Sequence, residues 1–252
     1  MRRLLLPSAF FLGVAFLAGC AGGGPKTPLI GPITPISMSV APPFSTPQNI
    51  YHEVGPSETL WRISKSYGVD MNTLLRVNHL EDATKIRRGQ RLLIPNTFGP
   101  KPVIALFPTK RWTYIVIHHT ATHEGNANSI DDLHHKRGFW NGLGYHFLID
   151  NGTNTKVDGQ IEVGPRWIKQ EDGAHANADG MNQKGIGIAV VGNYSEQMIS
   201  QRRLDSLIFL VKTLQSYYHI PNDHVIRHSD VPGKNTECPG TRFPWETFKR
   251  RL

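Results

Sequence analysis

No block of lysine and arginine occurs in this chain, and no aromatic-plus-basic motif of an RNA-binding surface is present. Those absences argue against nucleic acid as a partner, although the balance is basic, with a net charge of +8. A basic balance suits an anionic membrane or an acidic polymer without choosing between them. Long apolar runs are also missing. The longest, Leu4 to Ala18, falls short of the roughly 20 residues that a membrane span requires. The apolar share, 39%, is slightly low for a globular chain, as if an irregular stretch diluted a core. At 252 residues there is room for one ordinary domain and a small one.

Cysteine is scarce, and both copies stand in informative places. Met1-Arg2-Arg3 followed by the apolar run reads as an export signal, and it ends on Leu17-Ala18-Gly19-Cys20. That ending resembles a bacterial lipoprotein signal. The resemblance implies removal of residues 1–19 and acylation of Cys20, which would anchor the chain to a membrane. Ala21, with no Asp after the cysteine, resembles the pattern sorted to the outer membrane, facing the periplasm. Cys238 then has no intramolecular partner, which in an exported protein flags a reactive thiol or a metal ligand.

Residues 20–50 read as a tether, since seven prolines and a single charged residue, Lys26, fall between 21 and 50. Residues 51–95 follow the order strand, helix, helix, strand, a small βααβ unit. Ser57 is the expected cap of the first helix, whose Leu60, Ile63, Ser64 and Tyr67 share a face. Asp70 caps the second, and Pro95 stops the last strand. Val54 to Leu60, Trp61-x-Ile63, Gly68-Val69, Asn78 and Gly89-Gln90-x-Leu92-x-Ile94-Pro95 resemble a LysM domain. The resemblance implies binding of peptidoglycan glycan, along the loops after the first strand and before the last.

Residues 96–110 form a second linker, and the main domain spans 111–252. Trp112 to Ile117 is a buried-type strand running into His118-His119. Residues 129–137 read as a helix capped by Ser129, with His134 and His135 solvated. Tyr145 to Ile149 is a strand that Asp150-Asn151-Gly152 turns into a hairpin. Gly185 to Val191 is another strand, and Leu204, Leu207, Ile208, Val211 and Leu214 keep the helical period. Val225 to Arg227 is a last short strand. The fold class is therefore α/β, with a mixed sheet flanked by helices.

His118 and His228 each stand where a strand leaves the core, and Cys238 lies in a loop punctuated by Pro232, Gly233, Pro239 and Gly240. Two imidazoles and a thiolate suit Zn2+, and three protein ligands leave a position open for water, as in catalytic sites. His119 is the rival of His118, but strand alternation sends the two side chains apart.

The ordered set Val116-Ile117-His118-His119-Thr120, Gly144-Tyr145-His146-Phe147, Gly185-Ile186-Gly187-Ile188, His228-Ser229-Asp230 and Thr236-Glu237-Cys238-Pro239-Gly240 resembles the type 2 N-acetylmuramoyl-L-alanine amidases. Phage lysozyme-type amidases and animal peptidoglycan-recognition proteins belong to that family. The resemblance implies zinc on His118, His228 and Cys238, and Tyr145 as a catalytic residue. Thr236 stands where some members carry lysine, and it is expected to donate to an oxyanion. It further implies that His175 and Asn182 line the substrate groove, which would take the stem peptide. The expected reaction is zinc-dependent hydrolysis of the amide between N-acetylmuramic acid and L-alanine, in cell-wall remodelling or recycling. Two alternatives remain: a non-catalytic peptidoglycan-binding lipoprotein, or a cysteine hydrolase with Cys238 as nucleophile and His228 as base.

Overall fold

The computed structural model describes residues 41–252. The export signal, Cys20 and the tether up to residue 40 lie outside the described residues. Among the described residues, no helix is long and apolar enough to cross a membrane.

The N-terminal unit pairs β1 (Gln48–Glu53) with β2 (Arg91–Thr97) in antiparallel register around α1 (Leu60–Tyr67) and α2 (Met71–Val77). The first strand begins inside the segment that composition assigns to the tether, because Gln48 and Ile50 find partners in Thr97 and Ile94. Thr59, not Ser57, caps α1 by accepting the Arg62 N–H. Ser57 instead adopts a positive φ of 57°, and Glu58 folds back to accept the Gly55 N–H at 2.8 Å. The expected apolar face of α1 is buried, and Asp70 caps α2 through the Thr73 N–H. Val54, Leu60, Ile63, Leu74, Leu92 and Ile94 form this unit's own core.

The main unit is a five-stranded mixed sheet in the order β5-β4-β6-β3-β7. Its strands are β3 (Tyr114–His119), β4 (Phe147–Ile149), β5 (Ile161–Val163), β6 (Gly185–Val190) and β7 (Val225–Arg227). β3 runs parallel to β6 and β7, β4 runs parallel to β6, and only β5 is antiparallel. The β4–β5 connection spans residues 150–160 rather than a tight turn. Asp150 accepts the Gly159 N–H and donates to Gln160, so the loop closes at its base and not at Gly152.

Alternation along the strands sorts side chains into two layers. Ile115, Ile117, Ile186, Ile188 and Val190 face the long helix α6 (Gln201–Tyr218), whose Leu207, Leu210, Val211 and Leu214 complete the larger core. Val116 and His118 face the other side. There the helix α3 (Ala127–Lys136) and the segment around Ala176 and Met181 cover the sheet. Asn126 caps α3, and Ser129 reciprocates by accepting the Asn126 N–H, so the expected cap is the second half of a capping box. Three short helices, α4 (Pro165–Lys169), α5 (Met181–Lys184) and α7 (Trp245–Arg250), close the edges.

The segment between the two units is pinned along its length. Ser66 and Lys101 exchange hydrogen bonds, the Trp167 indole donates to the Ala105 carbonyl, and Phe107 bonds the Tyr218 hydroxyl. Ile104 is itself buried in the main core.

Candidate metal centre

His118 is the fifth residue of β3 and sits on the face away from α6. His228 follows β7 directly, and the Ser229 N–H donates to the Cys238 carbonyl at 2.9 Å, which ties the two loops together. The result brings His118, His228 and Cys238 into one cluster, with a ligand atom from each within 4.8 Å of the others. His118 and Cys238 are buried, whereas His228 is half-buried and opens the cluster to the surface.

Hydrogen bonds fix which nitrogen of His118 is free. His175 Nε2 lies 3.2 Å from the Gly185 carbonyl, which only an N–H can satisfy. His175 Nδ1 must then accept, so His118 Nε2–H donates to it at 3.1 Å. That leaves the lone pair of His118 on Nδ1, 3.8 Å from the Cys238 sulfur. His228 Nε2 is buried and has no hydrogen-bond partner among the described residues. A buried nitrogen without a partner is costly unless something else occupies its lone pair.

Electrostatics agree. Burial, reinforced by His175 and His228, holds His118 well below the ordinary imidazole range. Burial, with Lys234 nearby, lowers His228 to about 4. Both rings are neutral at pH 7, the form that binds a cation. Burial pushes the Cys238 thiol up to about 12, against the one N–H it receives from His119 at 3.4 Å. Two neutral imidazoles and a buried thiol with ligand atoms within 4.8 Å of one another fit a zinc ion.

The remaining predicted residues fall into different places. Tyr145 packs its ring 5.2 Å from that of His118, and burial raises its phenol above the ordinary value. Thr236 is half-buried and accepts the Cys238 N–H at 3.2 Å, so its own proton is left to donate. His175 lies against His118, buried with both ring nitrogens engaged. Asn182 serves His175 by accepting the N–H groups of His175 and Ala176 at 2.9 Å each. His119 turns away and accepts the Tyr194 N–H. Asp230 pairs with Arg227 and accepts its backbone N–H.

Gly185-Ile186-Gly187-Ile188 now has a steric reason. A Cβ at Gly187 would overlap the His175 ring, so glycine is what lets that ring lie against the sheet.

One side chain overturns its sequence reading. His134 is buried, not solvated, and accepts the Gly144 N–H at 2.9 Å, while His135 is exposed as expected. The signal was available: Ala127, Ile130, Asp131 and His134 share one face of α3 at helical spacing, and all four are buried. His146 was likewise missed as a structural ring. It accepts the Gly187 N–H and donates to the Glu171 carbonyl.

Comparison with known proteins gives two family matches. The model described as N-acetylmuramoyl-L-alanine amidase matches residues 108–241, and that of the LysM domain matches residues 52–95. Peptidoglycan-recognition protein 2 of Holotrichia diomphalia is 30% identical over 141 residues, covering 50% of this chain and 70% of the relative. The endolysin of Enterobacteria phage T3 is 29% identical over 133 residues, covering 50% and 78%. Among solved structures, an N-acetylmuramoyl-L-alanine amidase from Clostridium intestinale URNW is 38% identical, with a TM-score of 0.47, covering 56% of this chain and 85% of its own.

Proposed function

Since this chain belongs to the N-acetylmuramoyl-L-alanine amidase family, we propose that it hydrolyses the amide between N-acetylmuramic acid and L-alanine in peptidoglycan, with zinc at His118, His228 and Cys238. The observation that carries this reading is the convergence of one ligand atom each from His118, His228 and Cys238 within 4.8 Å, with a His228 ring whose Nε2 is buried without a partner among the described residues. Bound zinc would supply an acidified water and a polarised carbonyl.

The protein's own groups supply the rest. Tyr145 stays a protonated phenol across the physiological range, so it acts as a hydrogen-bond donor toward a developing oxyanion rather than as a base. Thr236 has a hydroxyl proton for the same task, because its oxygen is oriented by the Cys238 N–H. His175 keeps His118 in the tautomer that offers Nδ1.

The cysteine-hydrolase alternative is disfavoured by burial. A nucleophilic cysteine needs a depressed pKa, and that of Cys238 moves the other way. A recognition-only role, in keeping with the name of the Holotrichia diomphalia relative, would leave the cysteine ligand without a purpose.

The N-terminal unit would hold the enzyme on glycan and raise its local substrate concentration. An acylated Cys20 would keep it at a membrane, in the reading favoured here the outer membrane facing the periplasm, with a role in remodelling or recycling of the wall. Palmitate labelling with Cys20→Ser as control tests the anchor.

Digestion of purified peptidoglycan by the wild type and by Cys238→Ser, with products identified by mass spectrometry, tests the activity. Free stem peptides from the wild type, lost on chelation, restored by zinc and absent from the variant, are expected. Cuts within glycan strands, or equal activity in Cys238→Ser, would sink the proposal.

A further inference from the structure

Helix α3 is contacted from both sides, and each contact has a different owner. From the N-terminal unit, Arg88 reaches across from the loop between α2 and β2. Its Nε donates to Asn128 Oδ1 at 2.9 Å, and its Nη2 donates to the Asn128 carbonyl at 2.9 Å and to Asp132 at 2.6 Å. Its Nη1 lies 3.1 Å from Asp131 Oδ2. Asn128 completes the seam by donating to the Val54 carbonyl at 3.0 Å. A second tie is Lys156, whose side chain is fully buried between Glu162 at 2.6 Å and the Glu53 carbonyl at 2.9 Å.

The other oxygen of Asp131 points toward the metal centre's neighbour. It accepts the Leu143 N–H at 2.6 Å, and His134, one turn along, accepts the Gly144 N–H at 2.9 Å. Those are the two residues immediately before Tyr145. Gly142 has a φ of 63° and lies so close to the Asp131 carboxylate that no Cβ would fit, so this segment is seated on it.

A buried carboxylate needs partners for both oxygens, and breaking a buried charge pair strands the survivor. Without Arg88, the Oδ2 side of Asp131 keeps only the half-exposed ring of His135 at 3.3 Å. The carboxylate would then gain by rotating toward water and would release the Leu143 N–H.

We propose that Arg88 of the N-terminal unit is a positioning residue for Tyr145, acting through Asp131 and the Leu143 N–H. The docked LysM unit thereby forms part of the amidase site's scaffold. The inference rests on the proposed role of Tyr145 in amide hydrolysis.

The test uses the full-length chain and a soluble N-acetylmuramoyl-peptide monomer, too small to span both units. Arg88→Ala should lower kcat about three- to tenfold with KM unchanged, the scale expected for a slight misplacement of a catalytic group. Arg88→Lys keeps the charge near Asp131 and should recover much of the loss. Asp131→Asn keeps an acceptor for Leu143 but loses the pair, so it should match Arg88→Ala, and the double variant should add nothing. Hydrogen exchange across residues 139–146 should rise in Arg88→Ala, although the substitution lies in the other unit. A folded Arg88→Ala with unchanged exchange there and unchanged kcat overturns the coupling. A wild type that cleaves no peptidoglycan fragment would overturn the amidase reading instead, with the exchange measurement still deciding the coupling.

Discussion

Each of the two units buries histidine, but to opposite ends. In the N-terminal unit, His52 has both ring nitrogens spoken for, by the Tyr67 hydroxyl at 2.9 Å and by the Glu58 carboxylate at 2.8 Å. In the main unit, His118, His175 and His228 gather with no carboxylate among them, and one nitrogen has no partner among the described residues. Burial forbids an unpaired charge in both places. The first cluster answers by engaging both ring nitrogens, with a hydroxyl and a carboxylate, and becomes a fixed strut. The second answers by staying neutral, which leaves lone pairs for a cation. Burial of histidine therefore says little about function until its partners are counted.

The comparison breaks most sharply at His175. It is the main unit's nearest analogue of Glu58, because it too holds the ring of a buried histidine by a hydrogen bond, yet it brings no carboxylate. His175→Ala should leave the His118 Nε2–H unsatisfied and free the ring to turn. Zinc affinity should fall by about 10- to 100-fold, the range for a lost ligand-orienting partner. Competition with a chromogenic chelator measures this independently of catalysis. Unchanged affinity would return His175 to the groove-lining role that its sequence context suggests.

The strut can be broken separately. His52→Ala removes a fully buried ring that holds Tyr67 and Glu58, and it should destabilise the N-terminal unit by roughly 1–3 kcal/mol, the cost of stranding buried polar groups. Zinc affinity should not move. Denaturant unfolding followed alongside chelator competition checks both halves, and a joint loss would mean the two histidine clusters are not independent.

What could be read from the sequence divides along similar lines. The strand-ending positions of His118 and His228, the alternation that turns His119 aside, and the mixed sheet follow from local pattern, and the structure shows each of these placements. The helical spacing of α3 carries the burial of His134, but its partner, the Gly144 N–H, and the Gly185 carbonyl that holds His175 are backbone groups outside any local pattern. The cap of α1 moved from Ser57 to Thr59 because Glu58 was drawn to His52 and pulled the turn with it. Arg88 was invisible for the same reason. It sits in a loop of one unit and finds its partners 40 or more residues away in the other.

Acid should resolve the two designs by a smaller margin. Burial alone would raise Glu58, but His52, Lys156 and the Gly55 N–H outweigh it and bring it to about 2. A carboxylate lowered on folding contributes stability that is fully present above its unfolded value near 4.3, and that is lost as pH falls toward 2. His134 is held at about 4 by burial and by Arg137, and His146 is lowered by burial and by His175. For these the unfolded chain binds protons first, below about 6.5, so their contribution is lost as pH falls from there, that of His134 by about 4. In metal-free protein, amide protection in β3 and β6, taken relative to intrinsic exchange at each pH, should therefore fall as pH drops from about 6.5 toward 4, while β1 and β2 stay protected until below about 4.5. If protection in both sheets fell together from pH 6.5, the docking seam through Arg88 and Lys156 would be governing the acid response in place of the local histidines.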